Sequence, residues 1–498
     1  MDLLPRQATP ALPRLALVAL LALAACGGTT LAPVPDAGSD AGDEVDGSSD
    51  AGSDAGVDAG ADAGPDGGDD AGPDAGPDAG ADAGIDAGPP PVVLTGRLVG
   101  GPGSWPGPIA GVTFSSGGQR GRTDADGAFT YQQGAPVQFS VYDVAFAPVA
   151  GAALVSPYQL AGSTCTRSTA LDAALVLLRG LDSDDDASDG IAVFVGTQAA
   201  QVPLAQLSLA DIDARLTHLY PARALPQPAV ELDAFIRQID GELWKEVGTG
   251  DTFGPVDSLA RGQGVATDGL HWFFSGTVSL QITGLDYSVV KTSAYAIPLA
   301  LKYTSRSDHI GDIDTLNGTI YAPLEDGSNG YKNPKIVLYD AGSLSDGKVY
   351  DISSARQTAG VPWVAVNGPA KELYLAEWNP TTLLDVYDLA SVSYRRSLPL
   401  VPPPGVTVGR IQGAKLFEGA LYLSTDQLDK TLFKMNLETG TVLPLFDRPG
   451  AKEAEGLAFL ARPDGSLMHT LNLAQSGTAE EFHHHARTRA PLRKSVCR

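Results

Sequence analysis

The sequence predicts a mainly-β chain: a small N-terminal β-sandwich with packed helices, followed by a five- or six-bladed β-propeller. Three observations lead there. A motif returns five times (QGVAT, HIGDID, VPWVAV, IQGAKL, AEGLAF), starting at Gln263, His309, Val361, Ile411 and Ala454, 43 to 52 residues apart. Each return is followed by a polar turn and an aromatic-rich run (LHWFF, TIYAP, ELYLAEW, ALYLS, SLMHTL), and usually by a second alternating run such as KIVLYD or LLDVYD. That period, with short β-type runs inside each unit, is the signature of sheets stacked around an axis, because one such sheet cannot bury both faces alone. Upstream, VVLTGRLVG, PIAGVTFSS and GRTDADGAFTYQ read as strands joined by Gly, Pro and Asp turns.

Taken in order, the chain begins with Arg6 and Arg14 ahead of an apolar run, Leu15–Ala25. The run is about half the length needed to cross a bilayer, so it reads as an export signal over residues 1–25. Its end, Leu23-Ala24-Ala25-Cys26, resembles the lipobox of bacterial lipoproteins. The resemblance implies acylation at Cys26 and a membrane anchor, and Gly27 after it implies an outer-membrane address in the cell envelope. Residues 26–91 are a low-complexity tether. Between Gly27 and Pro91 stand fifteen Asp and Glu44, without any Lys or Arg. Such composition cannot offset chain entropy by burial, so the segment is expected to be disordered, spanning roughly 45 Å as a flexible coil. Asp-Ala-Gly tethers of this kind resemble those of myxobacterial surface lipoproteins. Of the net charge of −25, about −9 remains outside the tether. No basic stripe interleaves with aromatics, which argues against a nucleic-acid partner.

Residues 92–180 form the sandwich and a first helix. Thr123-Asp124-Ala125-Asp126-Gly127-Ala128-Phe129 and Pro108-Ile109-Ala110-Gly111-Val112 resemble the turn and strand entry of carboxypeptidase-regulatory-like domains, which implies a spacer or adaptor, not a catalyst. Residues 181–250 hold an acidic loop and a helical platform. Asp182, Asp184, Asp186 and Asp189 alternate as Ca2+ ligands often do, but Ala187 and Val193 break the EF-hand pattern, and a solvated acidic loop is the simpler reading. Ser208 and Asp211 form a capping box for one helix. Pro228 opens a second, AVELDAFIRQIDGELWKEVG, with Leu232, Phe235, Ile236, Ile239 and Leu243 on one face.

Residues 251–487 are the expected propeller. Aligning repeats by their glycine places Gln263, Ile310, Gln412 and Glu455 at one mouth of the channel, with Pro362 in the third repeat and His309 one step away. Asp312 shares a strand face with Asp314. Gln263, His309, Asp312, Trp363, Gln412 and Glu455 are therefore the candidate ligand-binding residues. Trp363 is the one placed to stack on a sugar or a peptide, while Trp272 and Trp378 read as packing. At this point the chain is distantly similar to the gluconolactonase and paraoxonase superfamily, whose Ca2+ ligand lies in an E-G-P motif; here Glu455-Gly456-Leu457 lacks the Pro. The similarity implies Ca2+ as cofactor of a lactonase or esterase with Glu455 and Asp312 as ligands and His309 as general base. No G-x-S-x-G, H-E-x-x-H or C-x-x-C occurs. EEFHHHAR reads as the last strand, closing the ring against the first unit, with His483 and His485 on one face and His484 on the other. His271 and His469 read as core. Residues 488–498 are a basic, solvated tail. Cys165 and Cys497 are left to pair or to remain free thiols.

The leading reading is a monomeric, lipid-anchored binding module for a protein, peptide or carbohydrate ligand, with the hydrolase and a purely structural envelope protein as alternatives. Changing Cys26 to Ala is expected to move the protein from the membrane to the soluble fraction; unchanged partitioning would overturn the anchor.

Overall fold

Alternating apolar residues build two small sheets first. Val93–Leu98 pairs antiparallel with Ala128–Gln132 and parallel with Leu154–Val155. Thr113–Ser116 lies between Gln119–Arg122 and Pro136–Val141. Their facing residues, among them Leu98, Phe114, Phe129 and Phe139, share one core, with Phe129 and Phe139 edge to face at 5.0 Å. The Asp124 carboxylate accepts the amides of Asp126 and Ala128, and Gly127 takes φ +74°, so this motif is a turn and nothing more. The structure is a computed structural model and describes residues 90–497 apart from 164 and 187. The expected leader, Cys26 and the tether up to residue 89 lie outside the described residues. Among the described residues no helix is long and apolar enough to cross a membrane.

Three helices follow: Thr169–Gly180, Leu209–Leu219 with its Ser208/Asp211 capping box, and Pro228–Asp240. The third ends sooner than its periodicity suggests. Gly241 leaves the helical region, and Leu243–Glu246 is a strand, so Leu243 is not part of the helix face. Leu232, Phe235, Ile236 and Ile239 are buried as expected, packed with Val99, Tyr158 and Leu443, so this helix joins the sandwich to the later sheets. In the acidic loop Asp182 is buried and engaged: it pairs with Arg179 and accepts the Ala192 amide at 2.9 Å. Asp184 and Asp186 cap local amides, of Asp186 and Ser188. No three groups there, or elsewhere among the described residues, converge to hold a metal ion. Asp182, Asp184 and Asp186 are thus bonded within the loop itself.

From residue 264 five antiparallel sheets succeed one another. Their innermost strands are Gly264–Thr267, Asp314–Leu316 (preceded by the short His309–Ile310), Ala365–Asn367, Ile411–Phe417 and Ala451–Phe459. Each innermost strand lies against that of the next sheet, and the fifth lies against the first. Every neighbouring pair buries a shared apolar layer. Trp272 and Phe274 of the first sheet, for instance, pack on Leu471 and Phe482 of the fifth, and Trp272 meets Phe482 edge to face at 5.2 Å. Burying each such ring stabilises by roughly 1.5–3 kcal/mol. Glu480–Arg489, the expected last strand, is the third of the fifth sheet. Its outer neighbours are Leu243–Glu246 and Asp251–Phe253, from before the first sheet, so closure runs through that segment and not through the first sheet itself.

The C-terminal tail is not frayed. Cys165 and Cys497 form a disulfide with Cα atoms 5.7 Å apart. Arg493 donates to Asp240 at 2.6 Å and to the Tyr158 hydroxyl at 3.0 Å, and Arg487 pairs with Glu418. Arg487, Arg493 and Lys494 thus hold the tail against the helical platform and the fourth sheet.

Candidate functional site

The recurring glycine explains itself at the centre of the five sheets. Asp312 is fully buried there. Its Oδ1 accepts the Val265 amide at 3.0 Å, and its Oδ2 accepts the Ala414 amide at 3.1 Å and Lys415 Nζ at 2.7 Å. A Cβ on Gly264 would lie 2.4 Å from the Asp312 Cα, on Gly413 2.9 Å from Oδ2, and on Gly456 2.5 Å from Oδ1. Only glycine admits this approach. Burial pushes the Asp312 carboxyl upward, against the downward pull of Lys415 and the Val265 amide. Asp314, two residues on, accepts the Val366 amide at 2.8 Å.

The residues just before these glycines rise to one mouth. Gln263, Pro362, Gln412 and Glu455 line a cavity of about 510 Å³, joined by His309 from the second sheet. Gln263 Nε2 donates to the Gly262 carbonyl, leaving its Oε1 2.5 Å from His309 Nε2. His309 Nδ1 is 3.1 Å from Glu325 Oε2. Both imidazole nitrogens thus lie within hydrogen-bonding distance of neighbouring side chains, Gln263 and Glu325. Asp312 is sealed beneath the cavity with both oxygens occupied, so it is a structural group and neither a Ca2+ ligand nor a catalyst. The donor set expected for a Ca2+-dependent hydrolase does not fit.

Glu455 is different. It is 2% exposed, and its carboxyl has no hydrogen-bond partner among the described residues. Its backbone is fixed: Ser424 donates to its carbonyl, and the next amide, Gly456, donates to the Gln263 carbonyl at 3.2 Å. Burial first, then the nearby charges of Glu480, Glu453, Asp426 and Asp312, raise its pKa well above the usual carboxylate range. Glu480 is likewise pushed up to about 8, mainly by burial.

Trp363 does not reach the mouth. It is fully buried between the third and fourth sheets, because the glycine-aligned strand turns its side chain into the inter-sheet layer. Trp378, expected as packing, lines the cavity instead, together with Glu325, Asp308 and Tyr331. A signal for these was present. In an antiparallel pair the second strand ends where the first begins, and Glu325, closing TIYAPLE, lies opposite His309 in register. His271 sits at an exposed hairpin beside Asp268, whereas His469 is buried against Trp272 as expected. His483 and His485 line a second cavity of about 350 Å³, and His484 turns the other way to His469 and Asp251.

No family model and no curated protein matches the sequence. Solved structures with similarity include a glutaminyl cyclase from Myxococcus xanthus, at 10% identity and a TM-score of 0.35 over 50% of this chain and 98% of that one. A hydrazine synthase from Kuenenia stuttgartiensis aligns at 12% identity and 0.28, over 45% of this chain and 57% of that one. A mitotic checkpoint complex chain aligns at 10% and 0.26, over 44% and 62%.

A carboxyl whose pKa rises on folding holds its proton more tightly in the folded chain. Its folded state is penalised once the unfolded carboxyl ionises, so stability falls as pH rises, for Glu480 between about 4.5 and about 8. Glu455→Gln is therefore expected to raise the unfolding midpoint at pH 8, on the scale of ~2–4 °C per kcal/mol relieved, with the gain disappearing near pH 4. A lowered midpoint at pH 8, or a gain that ignores pH, would contradict this origin.

Proposed function

We propose that the chain is a surface-displayed, lipid-anchored binding protein whose five sheets form a five-bladed β-propeller carrying a small-ligand site at one mouth. The observation that carries this reading is the convergence of Gln263, His309, Gln412 and Glu455, from four different sheets, on one cavity. Polar groups converging from separate elements on a concave site are how a fold that is otherwise scaffold acquires a ligand. The Glu455 carboxyl adds weight, since it faces the cavity with no hydrogen bond from the described residues and is open to a partner that arrives from outside. The cyclic contacts of the innermost strands support the closed ring, and the repeated motif supports its blade count. The Cys165–Cys497 disulfide suits an oxidising compartment, in keeping with export and with anchoring through Cys26. The small N-terminal sandwich, with its carboxypeptidase-regulatory-like turn, then serves as adaptor between tether and propeller.

The hydrolase alternative has less behind it, because Asp312 and His309 are both committed to neighbours. A purely structural role leaves the cavity and the unpartnered acid unexplained.

Thermal unfolding of the full chain against a panel of small cationic, anionic and neutral compounds tests the reading. A ligand at about 100 times its Kd adds roughly 2.7 kcal/mol of stability. At least one compound is expected to raise the midpoint in the wild type and not in Gln412→Trp, whose indole fills the cavity. If nothing of any charge class stabilises the wild type, the binding proposal fails.

A further inference from the structure

The charge on the cavity wall limits what the site can accept. Asp308, Glu325, Glu453 and Glu455 line it, and no Lys or Arg does. Two of these acids are already served. Asp308 accepts the amides of Gly327 and Ser328, both at 3.0 Å, and Glu325 Oε2 faces His309. The remaining acceptors are not. Glu325 Oε1 is buried without a partner, and the Glu455 carboxyl opens to the cavity with no hydrogen bond from the described residues. The nearest buried cations are held elsewhere: Lys415 by Asp312, and Arg448 by Asn472, Ser424 and the Lys430 carbonyl. The cavity therefore offers two carboxyl groups from different sheets: Glu455, which receives no donor from the described residues, and Glu325, which receives His309 at one oxygen.

Resting on the reading of this cavity as a ligand site, we propose that its ligand is an organic cation bearing several N–H donors, a guanidinium or primary ammonium compound, anchored by Glu455 and Glu325. A multi-donor organic head suits these acids better than a metal ion does. No three carboxylate or imidazole groups among the described residues converge on a point where one ion would sit, whereas a guanidinium spreads five donors in a fork. A cation arriving at Glu455 takes the place of the proton that burial and the neighbouring acids (Glu453, Glu480, Asp426 and Asp312), opposed by Arg448, retain on it. Binding then releases a proton and tightens as pH rises.

Isothermal titration of the full chain with n-butylguanidinium, n-butylammonium, calcium chloride, butanoate and butanol decides the matter. The two organic cations are expected to bind, and butanoate, butanol and calcium to bind at least tenfold more weakly. Glu455→Gln and Glu325→Gln should each weaken the guanidinium by roughly 10- to 100-fold, as loss of a charge-assisted hydrogen bond does, while both variants stay folded by circular dichroism. Titrations in buffers of different ionisation heat should register proton release in the wild type and not in Glu455→Gln. Equal binding of butanoate or butanol would overturn the cation assignment while leaving a ligand site in place. Calcium binding in preference to both organic cations would overturn it in favour of a metal. Silence from every probe would overturn it and count against the site itself.

Discussion

The carboxylate of Asp312 takes hydrogen bonds from two sheets that are not its own, and the backbone on either side of it bonds a third. Its oxygens meet Val265 of the first sheet and Ala414 and Lys415 of the fourth. Its own amide donates to the Pro362 carbonyl at 2.8 Å, and its carbonyl accepts from Val364 at 3.2 Å, at the entry to the third. Withdrawing a carboxylate and an ammonium from water costs several kcal/mol per ion, and mutual attraction offsets this only with good geometry and full hydrogen bonding. Here both oxygens are satisfied. The three glycines packed around it allow the strands to come that near, since any Cβ would strike the aspartate or an adjoining strand. One buried acid thus sets how closely the inner strands approach and how wide the mouth above them can be.

That arrangement divides the axis into two layers of opposite character. In the lower layer Lys415 lies against Asp312, and both oxygens of Asp312 are used. Lys415 is committed there and does not rise to the mouth. The layer above is left with acids, an imidazole engaged on both nitrogens, and amide side chains. Glu455 is a product of this division: its neighbour Gly456 must pack on Asp312, which fixes the backbone and aims the preceding side chain into the cavity. The same step in the first and fourth repeats delivers Gln263 and Gln412. The functional surface is therefore a by-product of the closest packing in the molecule, and substitutions at the hub are felt at the mouth through the backbone.

Much of this was legible in the repeat. Gln263, His309, Ile411 and Ala454 fall in or next to inner strands and Val361 four residues ahead of its own, and alignment on glycine brought Gln263, Gln412, Glu455 and His309 to one end. Spacing alone could not say which side of the strand Trp363 faces, because a residue next to a bulged or bridging position loses the simple alternation; Asp312 and Trp363 meet only through an isolated parallel bridge. It also could not rank Asp312. An aspartate two residues from another reads as a site, whereas its burial and three donors depend on strands 47 and more than a hundred residues away. Glu325 and Trp378 lie outside the repeated motif of the first strands, and only antiparallel pairing returns the ends of second strands to the same mouth. The tail was misjudged for a related reason. Its positive charges look solvated in sequence, and only the fold supplies Asp240, Glu418 and the partner of Cys497.

Urea unfolding of Asp312→Ala, set beside Asp314→Ala, tests the central constraint most directly. Removing one partner of a buried pair strands the other, so Asp312→Ala is expected to cost about 3–5 kcal/mol, well beyond the effect of Asp314→Ala, which frees no buried lysine from a direct contact. A loss for Asp312→Ala within about 0.5 kcal/mol, the range of ordinary surface substitutions, would contradict the account.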